Sequence, residues 1–246
     1  MSALLRLSAT ETRLFFREPV VVFFAVAFSP ALLVVLGLVP ALREPDPAVG
    51  GARMITLYLP IVVAMGIALF ALSGLTQLFS SYREKGVLRR MRLTPVRPRV
   101  LLGAQLLMAL VLSAGSTLAM VLLGRFAFGI ALPRQAFGYL LAFVLLASAL
   151  FAIGLLIAAL APSAKSASAA GSLVFFPLMF FAGLWLPRAA MNSVLRTISD
   201  LTPLGAGVQA LQDATSGHWP QLLHVGVMLG WLLGAGGLAA RYFRWE

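Results

Sequence analysis

The chain has no cysteine among its 246 residues, which excludes a disulfide framework, a thiolate metal site and a cysteine nucleophile. Charge is scarce too. Only 11% of residues are charged, against about 25% in an ordinary soluble domain. Acidic charge is scarcest, with eight Asp and Glu beside nineteen Lys and Arg. The two histidines, His218 and His224, stand six apart, a spacing that does not share one helical face. An interfacial or solvent-facing place at the outer end of the last apolar run is expected for both. No Ser–His–Asp arrangement and no metal-ligand spacing can be read, so neither a catalytic site nor a metal is expected. The phosphate-loop pattern G-x-x-x-x-G-K-[ST] is missing, so the chain is not expected to hydrolyse nucleotide itself. A cleavable signal peptide is not expected either, because Arg6, Arg13, Arg17 and Glu18 interrupt any early apolar core.

What the chain does have is apolar length. Hydrophobic residues make up 61% of it, and a bilayer-spanning helix needs about 20 mostly apolar residues in a row. Six windows qualify: 19–42, 54–81, 100–124, 135–161, 166–187 and 221–240. The segment 188–215 fails as a span, because it carries Arg196 and Asp200 and is broken by Pro203, Gly205 and Gly207. Broken backbone at membrane depth survives only where protein or water satisfies it, so short helices dipping into the outer face are expected there. The net charge of +11 lies between apolar runs rather than on a polar domain. It sets orientation and attracts lipid headgroups; nucleic acid is not an expected partner. With the N-terminus inside, the inner segments hold thirteen Lys and Arg and the outer ones six. That asymmetry places both termini in the cytoplasm and the chain in the cytoplasmic (inner) membrane, with lipid as a partner.

The basic residues are also patterned. Arg6, Thr10, Arg13 and Arg17 share one face of an N-terminal helix over 1–18, with Leu4, Leu7, Leu14 and Phe15 broadly opposite. Such a helix lies in the membrane interface, and Pro19 ends it. Seven of the nineteen Lys and Arg fall in 83–99, between uncharged runs of 29 and 25 residues. A helix from 82 to 92 would carry Lys85, Arg89 and Arg92 on one face and Glu84, Leu88 and Met91 on another. Thr94-Pro95 stops it. An apolar ridge with one acid and many bases suits a groove of a soluble partner. A solvated loop serving topology alone is the plainer alternative.

The run Glu84-Lys85-Gly86-Val87-Leu88-Arg89-Arg90-Met91-Arg92-Leu93-Thr94-Pro95 resembles the E-x-G-(about seven)-T-P signature of ABC-2 type transporter permeases. Pro177-Leu178 followed by Gly183 and Pro187 resembles the ending of that family's fifth span, and Leu201-Thr202-Pro203-Leu204 its "NPL" element, with Thr202 in place of Asn. The resemblance runs along the whole chain, read as one transmembrane domain over 1–246. It implies an all-α integral membrane fold: six transmembrane helices, an interfacial helix, a coupling loop over 82–99 and broken outer helices before span six. It implies a permease that forms a homodimer, or pairs with a similar chain, and binds a separate ATPase subunit that uses ATP and Mg. Arg13, Arg17, Glu84, Gly86, Leu88, Met91, Thr94 and Pro95 would face that subunit. Gly183, Pro187 and Pro203 would belong to an outer gate.

The predicted spans contain no charged residue, only mild polarity at Ser73, Thr76, Gln77, Ser113, Ser116, Thr117 and Ser148. That argues against an ion-coupled antiporter or a charged filter. Phe23, Phe24 and Phe28 of span one, with Phe175, Phe176, Met179, Phe180 and Phe181 of span five, could line a hydrophobic exit groove at a dimer interface or simply face lipid. Gly226, Gly230 and Gly234 permit close helix packing. Trp185, Trp219, Tyr242 and Trp245 suit interfacial belts. Export of a hydrophobic or amphipathic drug or antibiotic, an efflux of the kind that gives antibiotic resistance, is the first functional reading. Export of a lipid-linked polysaccharide is the second. A non-transporting anchor or assembly component is the alternative of another class.

Overall fold

The computed structural model describes residues 23–47, 51–84 and 98–242. The interfacial helix at 1–18 and all of the coupling loop beyond Glu84 up to Arg97 lie outside the described residues. The described chain is helical apart from one two-stranded ribbon, Pro45–Asp46 (β1) against Ala52–Arg53 (β2). Five helices are long and apolar enough to cross a membrane. They are Met54–Tyr82, Leu102–Phe128, Ala136–Leu160, Ala164–Phe181 and Leu222–Tyr242.

The window at 19–42 contains a shorter helix, α1 (Phe28–Leu38), entered through a π-helical turn at Phe23–Ala27. It stops earlier than the apolar run does, because Val39 precedes Pro40 and is extended. The second span is α2 (Met54–Leu69), a π segment (Phe70–Leu75) and α3 (Thr76–Glu84) in one continuous rod. The third, α4 (Pro98–Phe128), runs past the expected end at 124 and exposes Arg125 on its last turn. A long arginine can reach the interface from there. The fourth is α5 (Ala136–Leu160), closed by extended Ala161 before Pro162.

The fifth, α6 (Ala164–Phe181), opens with a reciprocal capping box between Ser163 and Ser166. It ends six residues before the expected 187, where Gly183 takes a left-handed φ of +92°. The segment before the last span is broken, as its residues predict. A 3₁₀ turn at Arg188–Ala190 leads to α7 (Ser193–Leu201) and α8 (Pro203–Ser216), and then to α9 (Leu222–Tyr242).

Burial ranks these helices. The second span is the core: Val62, Val63, Ala64, Ala68, Ala71, Leu72 and Leu75 are fully enclosed. It packs against α1, α4, α5, α6 and α8. Helices α6 and α9 are peripheral and turn Leu173, Phe176, Leu222 and Leu233 outward. In water such faces would be a liability; in a bilayer they are the surface lipid covers. Segments 39–47, 51–53, 129–135 and 182–221 gather at one end of the bundle. There Arg53 donates to the carbonyls of Phe128 and Gly129 at 3.2 and 3.0 Å, satisfying the end of α4. Arg43 lies over the Phe128 ring, 5.2 Å from its centroid. Glu84 and residues 161–165 mark the opposite end.

Candidate functional site

The second span connects two places where chemistry-bearing side chains collect. Its π segment explains how it is held. A π-helical turn leaves carbonyls without their usual i+4 partner, and here two of them are pressed into neighbouring glycines. A Cβ on Gly154 of α5 would fall 2.3 Å from the Ala71 oxygen, and one on Gly171 of α6 would fall 1.9 Å from the Leu72 oxygen. Only glycine permits so close an approach. Thr76, fully buried, donates its hydroxyl toward the carbonyls of Ala71 and Gly154 at 3.0 and 3.3 Å. The rod is thereby keyed to α5 and α6 in mid-bundle.

At the Glu84 end, the Glu84 carboxylate accepts a hydrogen bond from the backbone N–H of Ala164 at 2.7 Å. Ala164 is the first residue of α6, whose free N–H groups and helix dipole favour an anion. Ser163 accepts from the N–H of Ser166 beside it. Of the residues expected to face an ATPase, Glu84 alone is described. Arg13, Arg17, Gly86, Leu88, Met91, Thr94 and Pro95 lie outside the described residues.

At the loop-rich end lies a cavity of about 500 Å³. Met54, Leu57, Tyr58 and Ile61 of α2 form one wall. Ala182, Gly183, Pro187, Arg188 and Ala189 form another, with Arg196, Gln209 and Gln212 between. The expected gate residues Gly183 and Pro187 thus line one cavity. Pro203 instead occupies the first turn of α8 and is buried in the core. Thr202 caps that helix, accepting from the N–H of Gly205 at 3.1 Å. Asn and Thr are both good N-caps, which accounts for Thr at a position where Asn is the more familiar residue.

The aromatic residues of spans one and five lie apart from this cavity. Phe23 and Phe28 meet edge to face, their centroids 6.3 Å apart. Phe176 is exposed and stacks on Trp185, and Phe180 packs on Phe181. Met179 is fully buried in the core. None of Phe23, Phe28, Phe176, Met179 and Phe180 lines the cavity described above.

A polar cluster beside the cavity is what sequence reasoning missed. Arg188 faces Asp200 of α7, with Nη1 2.7 Å from Oδ1 and Nη2 donating to Oδ2 at 2.9 Å. Burial pushes the Asp200 carboxyl up, but the hydrogen bonds and charges of Arg188 and His224 outweigh it and hold it below the usual carboxylate range. His224 has Nε2 3.2 Å from Asp200 Oδ1 and Nδ1 4.0 Å from Asp213 Oδ2. The expectation of an interfacial or solvent-facing His224 is therefore corrected: it is 2% exposed. Helices α7 and α8 fold over the start of α9 and cover a face that the isolated helix would present to solvent. His218 is exposed, as expected.

No curated protein and no solved structure matches the chain. A family model described as "ABC-2 type transporter" matches residues 2–215. That match covers every described helix but the last, and with five apolar helices of spanning length it establishes that the chain is a multi-pass membrane protein belonging to the ABC-2 type transporter family.

Proposed function

We propose that the chain is the permease half of an ATP-driven exporter that moves a hydrophobic or amphipathic compound out across the cytoplasmic membrane. The keyed second span is the observation that carries this reading. One rod runs from Glu84, at the edge of the basic loop, to the cavity wall at Met54–Ile61, and its two carbonyl-to-glycine contacts bind it to α5 and α6. A push at one end of such a rod is delivered to the other. Family membership supplies the source of the push, an ATPase subunit carried on a separate chain, with ATP and Mg bound there. In this reading the Glu84 end is cytoplasmic, both termini lie inside, six helices cross the bilayer, and two permease chains form a homodimer. The chain itself is not an enzyme and binds no cofactor.

The cavity favours an amphipathic cargo. Aliphatic residues of α2 face Arg196, Gln209 and Gln212 across it, a mix that suits a molecule with a polar end. Efflux of a drug or antibiotic fits this chemistry better than passage of a long glycan. Gentle purification of the tagged chain from its native membrane tests the reading. A stoichiometric soluble protein with a phosphate loop, released by Glu84→Lys, is expected. A chain that purifies with lipid alone would replace the exporter with a membrane anchor.

A further inference from the structure

His224 occupies a position that the exporter reading does not use. It stands in the first turn of α9, is 2% exposed, and points between two carboxylates borne by two other helices. Asp200 belongs to α7 and Asp213 to α8. The imidazole Nδ1 and Asp213 Oδ2 are both buried without a hydrogen-bond partner among the described residues, and they face each other at 4.0 Å.

A neutral imidazole carries one N–H and one bare acceptor nitrogen. With the proton on Nε2, that nitrogen donates to Asp200 and Nδ1 presents a lone pair to the Asp213 carboxylate. With the proton on Nδ1, the mismatch moves to Asp200, 3.2 Å away. Either tautomer sets acceptor against acceptor at one contact. Only the doubly protonated ring donates to Asp200 and also stands as a cation at ion-pair distance from Asp213, 4.0 Å away. Charge agrees: Arg188, Asp200 and Asp213 sum to one negative charge, which a cationic His224 cancels.

We propose that Asp200, His224 and Asp213 form a proton-binding site that latches α7 and α8 to the last span. With the imidazolium in place the three helices are tied through one ring. When it loses a proton, one contact turns repulsive and α8 or α7 is released from α9. The latch is therefore tight while the ring is cationic and loosens when it gives up the proton. Arginines and a tyrosine also surround it. Arg188 is paired with Asp200, and Arg196 of α7 donates to the carbonyls of Arg188 and Ala189. Arg134 packs on Gly217, the C-cap of α8. The titratable residue of α5 is Tyr139. Within the exporter reading, on which this meaning alone rests, the latch makes release through the α7–α8 cover depend on the pH outside. The site itself requires only the geometry.

The lack of native cysteine makes the test clean. Val194→Cys on α7 and Ser216→Cys on α8, each paired in turn with Leu233→Cys on α9, are at exposed positions, and spin labels on the full-length chain in nanodiscs report both helix-to-helix distances. A single narrow distance is expected in each pair at about pH 5, and a broader, longer distribution in at least one pair at about pH 8, on either side of the imidazole range. His224→Gln cannot titrate and should show the same distribution at both. Asp213→Asn offers an N–H to the bare Nδ1, so the narrow distance should persist at both. Identical parent distributions at the two pH values would overturn the proposal, and so would a pH response that survives His224→Gln. If His224→Gln does not fold, a pH response retained in Asp213→Asn overturns it instead. Because no transport is measured, loss of the latch and loss of the exporter reading are separate results.

Discussion

Gly171→Ala probes the keyed second span most sharply. The new Cβ would lie 1.9 Å from the Leu72 carbonyl oxygen and 3.0 Å from its carbon. A carbon–oxygen contact normally stands no closer than about 3.3 Å, so α6 must part from the π segment by about 1.4 Å at this level. The obstacle is backbone, not the end of a flexible side chain, and cannot rotate away. Overpacking of a fitted core costs typically about 1–3 kcal/mol, and a rigid obstacle puts this case near the upper end. At about 2–4 °C per kcal/mol for a domain of this size, Gly171→Ala should melt about 5–10 °C lower. Gly226→Ala is the matched control, since a Cβ there meets nothing within 4 Å. It should melt unchanged or slightly higher, because alanine restricts the unfolded chain. Thermal unfolding of both variants in nanodiscs, followed by size-exclusion recovery, measures the difference. If Gly171→Ala melts within about a degree of the parent, the carbonyl-to-glycine contact does not hold the rod, and the lever argument fails with it.

Other expectations follow from the same geometry. Thr76→Val keeps the shape but removes the donor to Ala71 and Gly154, and should cost about 1–3 kcal/mol by thermal unfolding. Glu84→Lys places a cation against the N-terminus of α6 and should abolish ATP-dependent transport in vesicles while the protein still elutes as a folded species; normal export would remove Glu84 from the mechanism. Thr202→Asn should leave stability unchanged, whereas Thr202→Val, which loses the cap on Gly205, should cost about 1 kcal/mol. The Asp200 carboxyl is held low in the folded state, so its contribution is present above the ordinary aspartate value of about 3.9 and is lost as pH falls below it. Melting temperature measured from neutral pH down to acid should show that loss, and Asp200→Asn should flatten it.

The membrane-spanning character of the chain was legible because bilayer thickness imposes a minimum apolar length, which shows in one dimension; five of the six apolar windows hold helices of that length, and the first holds the shorter Phe28–Leu38. The broken segment at 188–215 was legible for the converse reason, since Arg196, Asp200 and Pro203 cannot sit in an unbroken lipid-facing helix. Of Gly183, Pro187 and Pro203, read together from the sequence as an outer gate, the first two line the cavity and Pro203 is buried in the first turn of α8. The π segment left no comparable mark: Phe70–Leu75 reads as an ordinary apolar stretch, and its carbonyls matter only because Gly154 and Gly171 lie opposite. Those two glycines are 83 and 99 residues away from their partners along the chain, beyond the reach of periodicity. The aromatic residues of spans one and five show the limit of composition. Met179 and Phe176 stand three apart, yet one is sealed in the core and the other exposed.

The sequence by itself determined that this chain lives in a membrane, where its helices must run and which end carries the basic loop. Apolar length and charge position are local quantities, and lipid acts on them locally. Only the tertiary structure decided what the polar residues do. Arg188, Asp200, Asp213 and His224 are spread over 37 residues and belong to four separate elements. They become one half-buried cluster around the buried His224 because α7 and α8 fold across the start of α9, and a charge withdrawn from water must find its partners in space.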